Sequence, residues 1–394
     1  MARQLSTPTL SDIRAFEREW AALAECVSPW HNDERLKQLL LAVDWPRLLL
    51  LAEAHGVVGQ LASCLNHDSA TVAPAEIKQW LLERWRVNNF LTLRLTAELF
   101  RLLELFGTQG ISALVTKGPA LAARAYADPT LRTYGDLDLL VRQRDVRRAT
   151  ELMIASGYEA AIPLSAIDAA KIPGQYLFSH SDSKLLVELH NDLTLRYFPR
   201  SLPIEEFFAR QIRMCIDGHE VPAPCVEDEL VLICVHGAKH FWERLSWIAD
   251  VAGLISRQTN IDWERAALTA RTVQAEHLLH TGLDLAAGVL EAKLPEAVSS
   301  RVQGDAVAAK LAARVLRWLP AAGYAPLSLL ERAAFRLRMR GNVFAAPFYL
   351  LKLSLSPTEE DWQSDGQLSH NSFLDVLRRP FRLARKYGRH HKMG

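Results

Sequence analysis

Two short apolar runs in residues 112–158 are separated by a glycine turn and an alanine-rich segment. The first run, residues 113–116, stops at Lys117-Gly118-Pro119, which is typical of a strand that ends in a turn before a helix. The second run, residues 136–141, reads DLDLLV and predicts another strand. A strand, a glycine turn, a helix and a second strand form an α/β unit, so a small mixed sheet is expected here.

Two aspartates alternate with apolar residues in the second predicted strand. Successive side chains of a strand point to opposite faces, so Asp136 and Asp138 should share one face, about 7 Å apart. Like charges this close are costly unless they are solvated or hold a cation, and carboxylate oxygens are ligands that Mg²⁺ prefers. The pattern therefore predicts a site for Mg²⁺ or Mn²⁺. The alternative is an exposed strand with solvated aspartates.

A third carboxylate is expected from a hairpin downstream. Residues 176–179 and 185–190 predict two strands around a polar turn, with Glu188 and His190 on one face of the second strand. Burying an unpaired glutamate is expensive, and metal binding beside the two aspartates would explain Glu188. The alternative places Glu188 on an edge strand, facing water. His190 would orient Glu188 or an acceptor, or only pack.

The composition is that of a globular protein. At 394 residues the chain can bury a large core and divide into two or three domains. Hydrophobic residues make up 49% and charged residues 23%, and the mean hydropathy is close to zero, which argues against disorder and against a membrane protein. The net charge of +1 provides no global field for nucleic acid, so a sequence-specific nucleic-acid partner is not expected.

The cysteines and the amino terminus indicate a cytoplasmic protein. The five cysteines include no C-x-x-C pair, which argues against a zinc site and against a disulfide framework. The first residues lack the apolar segment of a signal peptide, and no run approaches the about 20 apolar residues of a membrane span. A reducing cytoplasm is therefore the expected location.

Helical periodicity dominates on both sides of the α/β unit. We therefore expect an α+β fold with three parts: an amino-terminal helical lobe over residues 1–106, a core over 107–204 and a carboxy-terminal helical lobe over 205–394. The tryptophans of the first lobe recur at helical spacing, which is more typical of core packing than of ligand binding.

A helix predicted from residue 227 onward carries polar residues among its apolar ones. His236 and His240 are four residues apart and should lie one above the other. They lack the glutamate of H-E-x-x-H, so they form an incomplete zinc site, and histidines lining an inter-domain surface are the simpler interpretation. A functional alternative is that Lys239, His240 and Asp250 close over a nucleotide or acceptor.

The carboxy-terminal part contains three further features. Residues 356–359 form a capping box with proline at the first helical position. The apolar run at 343–351 is too short to span a bilayer. Residues 378–392 are basic without an acid, and such a segment either contacts an anionic surface weakly or is simply solvated.

Together these residues resemble a bacterial family of nucleotidyltransferase-like proteins often met near exopolysaccharide or peptide natural-product genes. The marks shared with that family are Lys117-Gly118, Tyr126, Asp128-Pro129, Arg132, Gly135-Asp136-x-Asp138-Leu139-Leu140-Val141, Gly157-Tyr158, Glu188-Leu-His190, the His236-x-x-x-His240 helix with Trp247 and Asp250, and Arg379-Pro380 with Arg382-Leu383.

The resemblance implies a core like that of DNA polymerase beta. In such a core a glycine turn, here Gly118, cradles a triphosphate, and Asp136, Asp138 and Glu188 would bind two metal ions. The superfamily usually has Ser or Gly after this glycine, whereas this chain has a proline, which lacks an N–H donor. Lys117 and Arg132 would then take over the phosphate oxygens by charge-assisted bonds.

The resulting hypothesis is a metal-dependent nucleotidyltransferase. It would move a nucleoside monophosphate from an NTP to a hydroxyl or phosphate acceptor (a small molecule, sugar or peptide) and release pyrophosphate. Polysaccharide biosynthesis is one context that the resemblance implies. Two alternatives remain: a catalytically inactive nucleotide- or glycan-binding accessory protein, and a kinase-like phosphoryl transfer on the same fold.

Overall fold

The computed structural model describes residues 17–66, 73–164, 167, 174–192, 204–322 and 327–339. The capping box at 356–359, the apolar run at 343–351 and the basic segment at 378–392 lie outside the described residues. Among the helices that the structure describes, none has the length and apolar character needed to cross a membrane.

The amino-terminal part is helical, as predicted. Its helices are α1 (Glu17–Val27), α2 (Asp33–Leu40), α3 (Trp45–Ala54), α4 (Val58–Asn66) and the long α5 (Ala75–Thr108). The side chain of Asp44 accepts a hydrogen bond from Arg47 N–H and so caps α3. Gly56 follows α3 with φ +66°, and this left-handed conformation explains why a glycine ends the helix.

The central part is a five-stranded mixed sheet with the strand order β1-β2-β5-β4-β3. Its strands are β1 (Ala113–Val115), β2 (Asp136–Val141), β3 (Tyr158–Ala160), β4 (Gln175–His180) and β5 (Leu186–His190). Strands β2 and β5 are parallel, while the other neighbouring pairs are antiparallel. The predicted hairpin is confirmed, since β4 and β5 pair across a short polar turn.

In the described residues, two helices connect β1 to β2 and β2 to β3, and the first of them lies where the sequence predicts a helix. Helix α6 (Gly118–Ala125) follows β1, and Gly118 has φ +49°, a conformation that favours glycine. Helix α7 (Val146–Ala155) follows β2 and is closed by Gly157 at φ +87°. The strand–turn–helix–strand pattern of residues 112–158 is therefore confirmed.

The carboxy-terminal part is mainly helical. After α8 (Ile204–Ala209) come a hairpin of β6 (Ile212–Ile216) and β7 (His219–Ala223) and then seven described helices: α9 (Val226–Lys239), α10 (Leu245–Arg257), α11 (Trp263–Thr272), α12 (Glu276–Leu290), α13 (Glu296–Gly304), α14 (Ala306–Trp318) and α15 (Leu329–Met339). Phe241 and Trp242 adopt positive φ between α9 and α10, which separates two helices within one helical pattern.

The buried residues form two clusters. One lies between the sheet, α5 and α7, and contains Leu137, Leu139 and Val141 from the apolar face of β2. The other joins the amino-terminal helices to α9–α15 and also includes Leu140. The α+β class with flanking helices is confirmed. The division at residues 106 and 204 stays a prediction.

Candidate functional site

The carboxylates converge because β2 and β5 are parallel neighbours. Asp138 is the register partner of Glu188, and Leu140 is the partner of His190. Since side chains alternate along a strand, Asp136, Asp138, Glu188 and His190 share one face of the sheet. Asp138 and His190 are buried, whereas Asp136 and Glu188 are partly exposed.

Two nitrogen donors meet one oxygen of Asp138. Lys117 Nζ lies 2.6 Å from Asp138 Oδ1, and His190 Nε2 lies 2.9 Å from the same oxygen. His190 Nε2 is also 3.2 Å from Glu188 Oε2. Lys117 Nζ is 3.4 Å from His236 Nδ1. The carboxylate pair is thus already neutralised in part by side chains of the protein.

The pKa values of the acids reflect these contacts. Burial alone would raise the pKa of Asp138, but the charge of Lys117 and the hydrogen bond from His190 hold it well below its usual range. Burial would also raise the pKa of Glu188, and the hydrogen bond from His190 reverses that effect. Burial and repulsion by Asp138 raise the pKa of Asp136.

The pKa values of the neighbouring bases follow the same balance. Burial lowers the pKa of Lys117, but the carboxylate of Asp138 outweighs it, so the net pKa is raised and the ammonium stays charged. The bonds of His190 to Asp138 and Glu188 likewise outweigh its burial and raise its pKa. Asp138, Glu188 and Lys117 are therefore charged around neutral pH, and His190 is hydrogen-bonded to both carboxylates.

Gln175, at the start of β4, links His190 to helix α9. Its Nε2 lies 3.2 Å from His190 Nδ1, and its Oε1 accepts a hydrogen bond of 2.8 Å from Lys239 Nζ. Lys239 is the last residue of α9. The side chains of β5, β4 and α9 are therefore joined in one chain of contacts.

A pocket of about 710 Å³ opens in front of the carboxylates. It is lined by residues of α3, α6, β2, β5, α9, α10, α15 and the loops that connect them: Ala54, Lys117, Gly118, Arg132, Thr133, Tyr134, Gly135, Asp136, Asp138, Glu188, His236, Lys239, His240, Glu243, Arg244, Trp247 and Arg332. This volume is within the range of small-molecule sites. The lining combines several cationic side chains with the carboxylates.

Arg132 is held rigidly at this pocket. Its Nε and Nη2 donate to the two oxygens of Asp250, at 2.8 and 3.0 Å, in a buried bidentate pair. The Tyr126 hydroxyl donates to the same carboxylate at 2.9 Å. The remaining nitrogen, Nη1, is buried and has no hydrogen-bond partner among the described residues. Arg132 itself is among the residues that line the pocket.

Three rings form another part of the lining. The ring centroids of His236 and His240 are 4.7 Å apart. The ring centroid of Trp247 lies 5.7 Å from that of His236 and 5.2 Å from that of His240. Burial, followed by the charge of Lys117, lowers the pKa of His236 well below its usual value. Burial and Lys239 lower that of His240 to about 3. Both imidazoles are therefore neutral around pH 7.

One group of side chains in the described part of the chain has the spacing of a metal site. Ligand atoms of Asp138, Glu188 and His190 all lie within 4.8 Å of one another. Asp136, at the pocket end of β2, is outside this group but lines the same pocket. The two histidines at 236 and 240 are not part of this group.

The structure brings most of the sequence-predicted residues together. The pocket lining includes Lys117, Gly118, Arg132, Asp136, Asp138, Glu188, Lys239 and His240. Asp250 lies behind Arg132 and is absent from that lining, so its contact with a nucleotide stays a prediction. Sequence reasoning did not single out Gln175, Arg244 or Arg332. No local signal marks Gln175, because its role depends on contacts with Lys239, 64 residues away.

A family described as uncharacterised nucleotidyltransferase matches residues 42–291, which is more than half of the chain. The match includes the whole sheet and all of the pocket lining except Arg332. No curated protein and no solved structure matches the chain.

Proposed function

The chain belongs to this family of uncharacterised nucleotidyltransferases, and on that premise we propose that it moves a nucleoside monophosphate from an NTP to an acceptor and releases pyrophosphate. The acceptor carries a hydroxyl or phosphate group, as on a small molecule, a sugar or a peptide. Polysaccharide biosynthesis in the cytoplasm is the setting we propose for the reaction. Membership of the family supports nucleotidyl transfer, while the donor, the acceptor and the setting are part of the proposal.

One observation carries the proposal: Asp136, Asp138 and Glu188 line the same pocket as the cationic residues Lys117 and Arg132. Phosphoryl chemistry consists mainly of positioning and charge stabilisation, and it needs acids for metal ions and cations for phosphate oxygens. The pocket provides both kinds of group. A purely structural set of acids would not require an oriented guanidinium in the same pocket.

The acids fit a hard divalent cation. Carboxylate oxygens from adjacent strands are the ligands that Mg²⁺ and Mn²⁺ prefer, and Asp138 and Glu188 are ionised at neutral pH because their pKa values are lowered. We propose that these two residues hold the metal together with Asp136. When bound, Mg²⁺ would neutralise phosphate charge and lower the pKa of an acceptor hydroxyl. A lowered pKa suits Glu188 to metal binding better than to proton abstraction.

The triphosphate would lie against Arg132, Lys117 and the turn at Gly118. Arg132 supplies a positive charge for phosphate oxygens, and Asp250 and Tyr126 fix the direction of its guanidinium. Gly118 leaves the backbone open to an approaching phosphate, since it lacks a side chain. Asp250 would thus act on the nucleotide through Arg132.

Lys239 and His240 would bind the rest of the nucleotide or the acceptor. Both line the pocket next to the ring of Trp247. A neutral imidazole can donate and accept hydrogen bonds, and an aromatic face can stack on a base. These properties suit an uncharged part of a substrate better than its phosphates.

A specific observation favours a second function, that of a nucleotide- or glycan-binding accessory protein without catalysis. Pro119 stands in the first turn of α6 and removes one N–H donor from the end of the helix that faces the phosphates. Phosphate binding through side chains alone is sufficient for affinity but gives weaker positioning. Product analysis decides between the two functions.

The experiment is intact-mass analysis of the protein and candidate acceptors after incubation with each NTP and Mg²⁺ or Mn²⁺, with pyrophosphate release followed in parallel. Asp138→Asn is the test variant, and Asp182→Asn in the exposed β4–β5 turn is its matched control. Loss of a charge-stabilising group typically costs about 100-fold or more in rate, so Asp138→Asn should lose turnover while the control keeps it.

The possible products separate the candidate functions. A gain of one nucleoside monophosphate with pyrophosphate release supports the transferase, and a gain of one phosphate identifies the kinase-like reaction. Tight nucleotide binding without any product supports the accessory protein. Full turnover of Asp138→Asn would contradict the assignment of the site.

A further inference from the structure

We propose that Lys239 and Gln175 hold His190 as a hydrogen-bond donor to Asp138 and Glu188, so that His190 positions these carboxylates and does not itself bind the metal. This inference deepens the proposed function and rests on it for the identity of the ligand. It assigns a positioning role to Gln175 and gives Lys239 a role besides substrate contact.

The contact with Lys239 fixes the orientation of the Gln175 amide. Lysine carries only donors, so the group of Gln175 that lies 2.8 Å from Lys239 Nζ must be its carbonyl oxygen. The amide nitrogen is then directed away from Lys239 and lies 3.2 Å from His190 Nδ1. Turning the amide around would place an NH₂ group against an ammonium, which is unfavourable.

The tautomer of His190 follows from that orientation. The amide nitrogen of Gln175 can only donate, so His190 Nδ1 must accept and carries no proton. The ring proton is therefore on Nε2. This nitrogen lies 2.9 Å from Asp138 Oδ1 and 3.2 Å from Glu188 Oε2, where it donates to the carboxylates. His190 is only 1% exposed, so the tautomer is set by these partners rather than by bulk water.

His190 differs from a metal-binding histidine in the way its two ring nitrogens are used. A ligating imidazole offers the lone pair of one nitrogen, and its other N–H almost always donates to a carboxylate, a carbonyl or water. Here the nitrogen that faces the carboxylates is protonated, and the other nitrogen faces a donor. His190 has the opposite arrangement, which leaves only oxygen ligands for the ion. Oxygen ligands suit Mg²⁺ and Mn²⁺, whereas a nitrogen ligand would favour Zn²⁺.

The first test observes the tautomer directly. The full-length, metal-free protein is labelled with ¹⁵N-histidine, and two-bond ¹H–¹⁵N correlations show which ring nitrogen carries the proton. His190→Gln identifies the signal by its loss. We expect a protonated Nε2 and an unprotonated Nδ1. A neutral ring with its proton on Nδ1, or a ring protonated on both nitrogens, would overturn the proposal.

The second test observes the metal. Mn²⁺ is added to the ¹⁵N-histidine protein, and electron–nuclear double resonance reports any nitrogen bound directly to the ion. We expect no directly bound nitrogen. A coupling that disappears in His190→Gln would show that His190 is a ligand and would overturn the proposal.

A variant should reverse the arrangement. Gln175→Glu replaces the amide donor by a carboxylate that can accept from His190 Nδ1–H while still pairing with Lys239. The lone pair of Nε2 then becomes available, and we expect a nitrogen coupling to appear and Zn²⁺ affinity to rise about 10-fold or more relative to Mn²⁺. Gln109→Glu is the matched control, since Gln109 also accepts from a cation, Arg148, but at the surface.

The outcomes separate this inference from the proposed function. An unchanged His190 tautomer and an unchanged metal preference in Gln175→Glu would overturn the positioning role of Gln175, even if nucleotidyl transfer is found. Absence of Mn²⁺ binding and of any product would count against the proposed function. The His190 tautomer of the metal-free protein would still test the positioning role of Gln175 and Lys239.

Discussion

Lys117 occupies the position at Asp138 that a metal ion would need, and its removal should change two properties in opposite directions. Its Nζ lies 2.6 Å from Asp138 Oδ1 in a largely buried cluster. A cation that approaches this oxygen must displace the ammonium. We therefore predict that Lys117→Met lowers the stability of the metal-free protein and increases its affinity for Mn²⁺.

The magnitude follows from the geometry. At an effective dielectric constant near 20, unit charges 2.6 Å apart attract each other by about 6 kcal/mol, and the cost of desolvation offsets part of this gain. Removing one partner of a buried pair typically costs about 3–5 kcal/mol. Lys117→Met should therefore lower the free energy of unfolding by about 3 kcal/mol without metal. Mn²⁺ at 100 times its dissociation constant should restore about 2.7 kcal/mol.

The assay is urea unfolding with and without Mn²⁺, together with calorimetric titration of Mn²⁺ into the folded protein. We expect Mn²⁺ to bind about 10-fold more tightly to Lys117→Met, whereas NTP binding should weaken because a phosphate contact is lost. Lys37→Met removes an exposed lysine–glutamate pair and should change stability by less than about 0.5 kcal/mol. Equal or weaker Mn²⁺ binding by Lys117→Met would refute the displacement argument.

Three further predictions follow from buried contacts. Asp250→Ala leaves Arg132 charged and unpaired and should cost about 3–5 kcal/mol of unfolding free energy in urea; a loss below about 1 kcal/mol would contradict the buried pair. Burial lowers the pKa of His55 to about 4, so the unfolded chain binds its proton first and about 3 kcal/mol of stability should be lost between pH 6.5 and 4; His55→Gln should flatten this pH profile of unfolding, and an unchanged slope would argue against it. In Gly253→Ala the new Cβ would lie 2.4 Å from the Ala125 carbonyl oxygen, so thermal unfolding should shift downward by several degrees, while an unchanged midpoint would mean that the α6–α10 contact yields freely.

The local part of the site was predictable from the sequence. Alternation along β2 places Asp136 and Asp138 on one face, and the hairpin places Glu188 and His190 together, because side-chain direction in a strand depends only on its period of two residues. Gly118 marks its turn for an equally local reason, since it has positive φ.

The contacts across the fold were not predictable in the same way. The sequence does not specify that β2 and β5 are parallel neighbours, so the register of Asp138 with Glu188 came from the structure. The pair between Arg132 and Asp250 joins residues 118 positions apart, and neither has a neighbour in sequence that indicates the other. The sequence indicates each of them as a nucleotide-binding candidate, but nothing in it indicates their mutual contact.

Two buried arginines show why Arg132 is better explained by a ligand than by stability. Arg124 pairs with Glu229 and donates through its second terminal nitrogen to the Pro224 carbonyl, so both terminal nitrogens have partners inside the protein. Arg132 is paired just as deeply with Asp250, yet its Nη1 has no partner among the described residues and the side chain lines the pocket. Burying an unsatisfied donor typically costs about 1–3 kcal/mol, and a buried ion pair is by itself weak evidence of stabilisation. Because Arg132 also lines the pocket, a phosphate bound there would meet a guanidinium whose orientation Asp250 and Tyr126 set in advance, as expected of a binding residue.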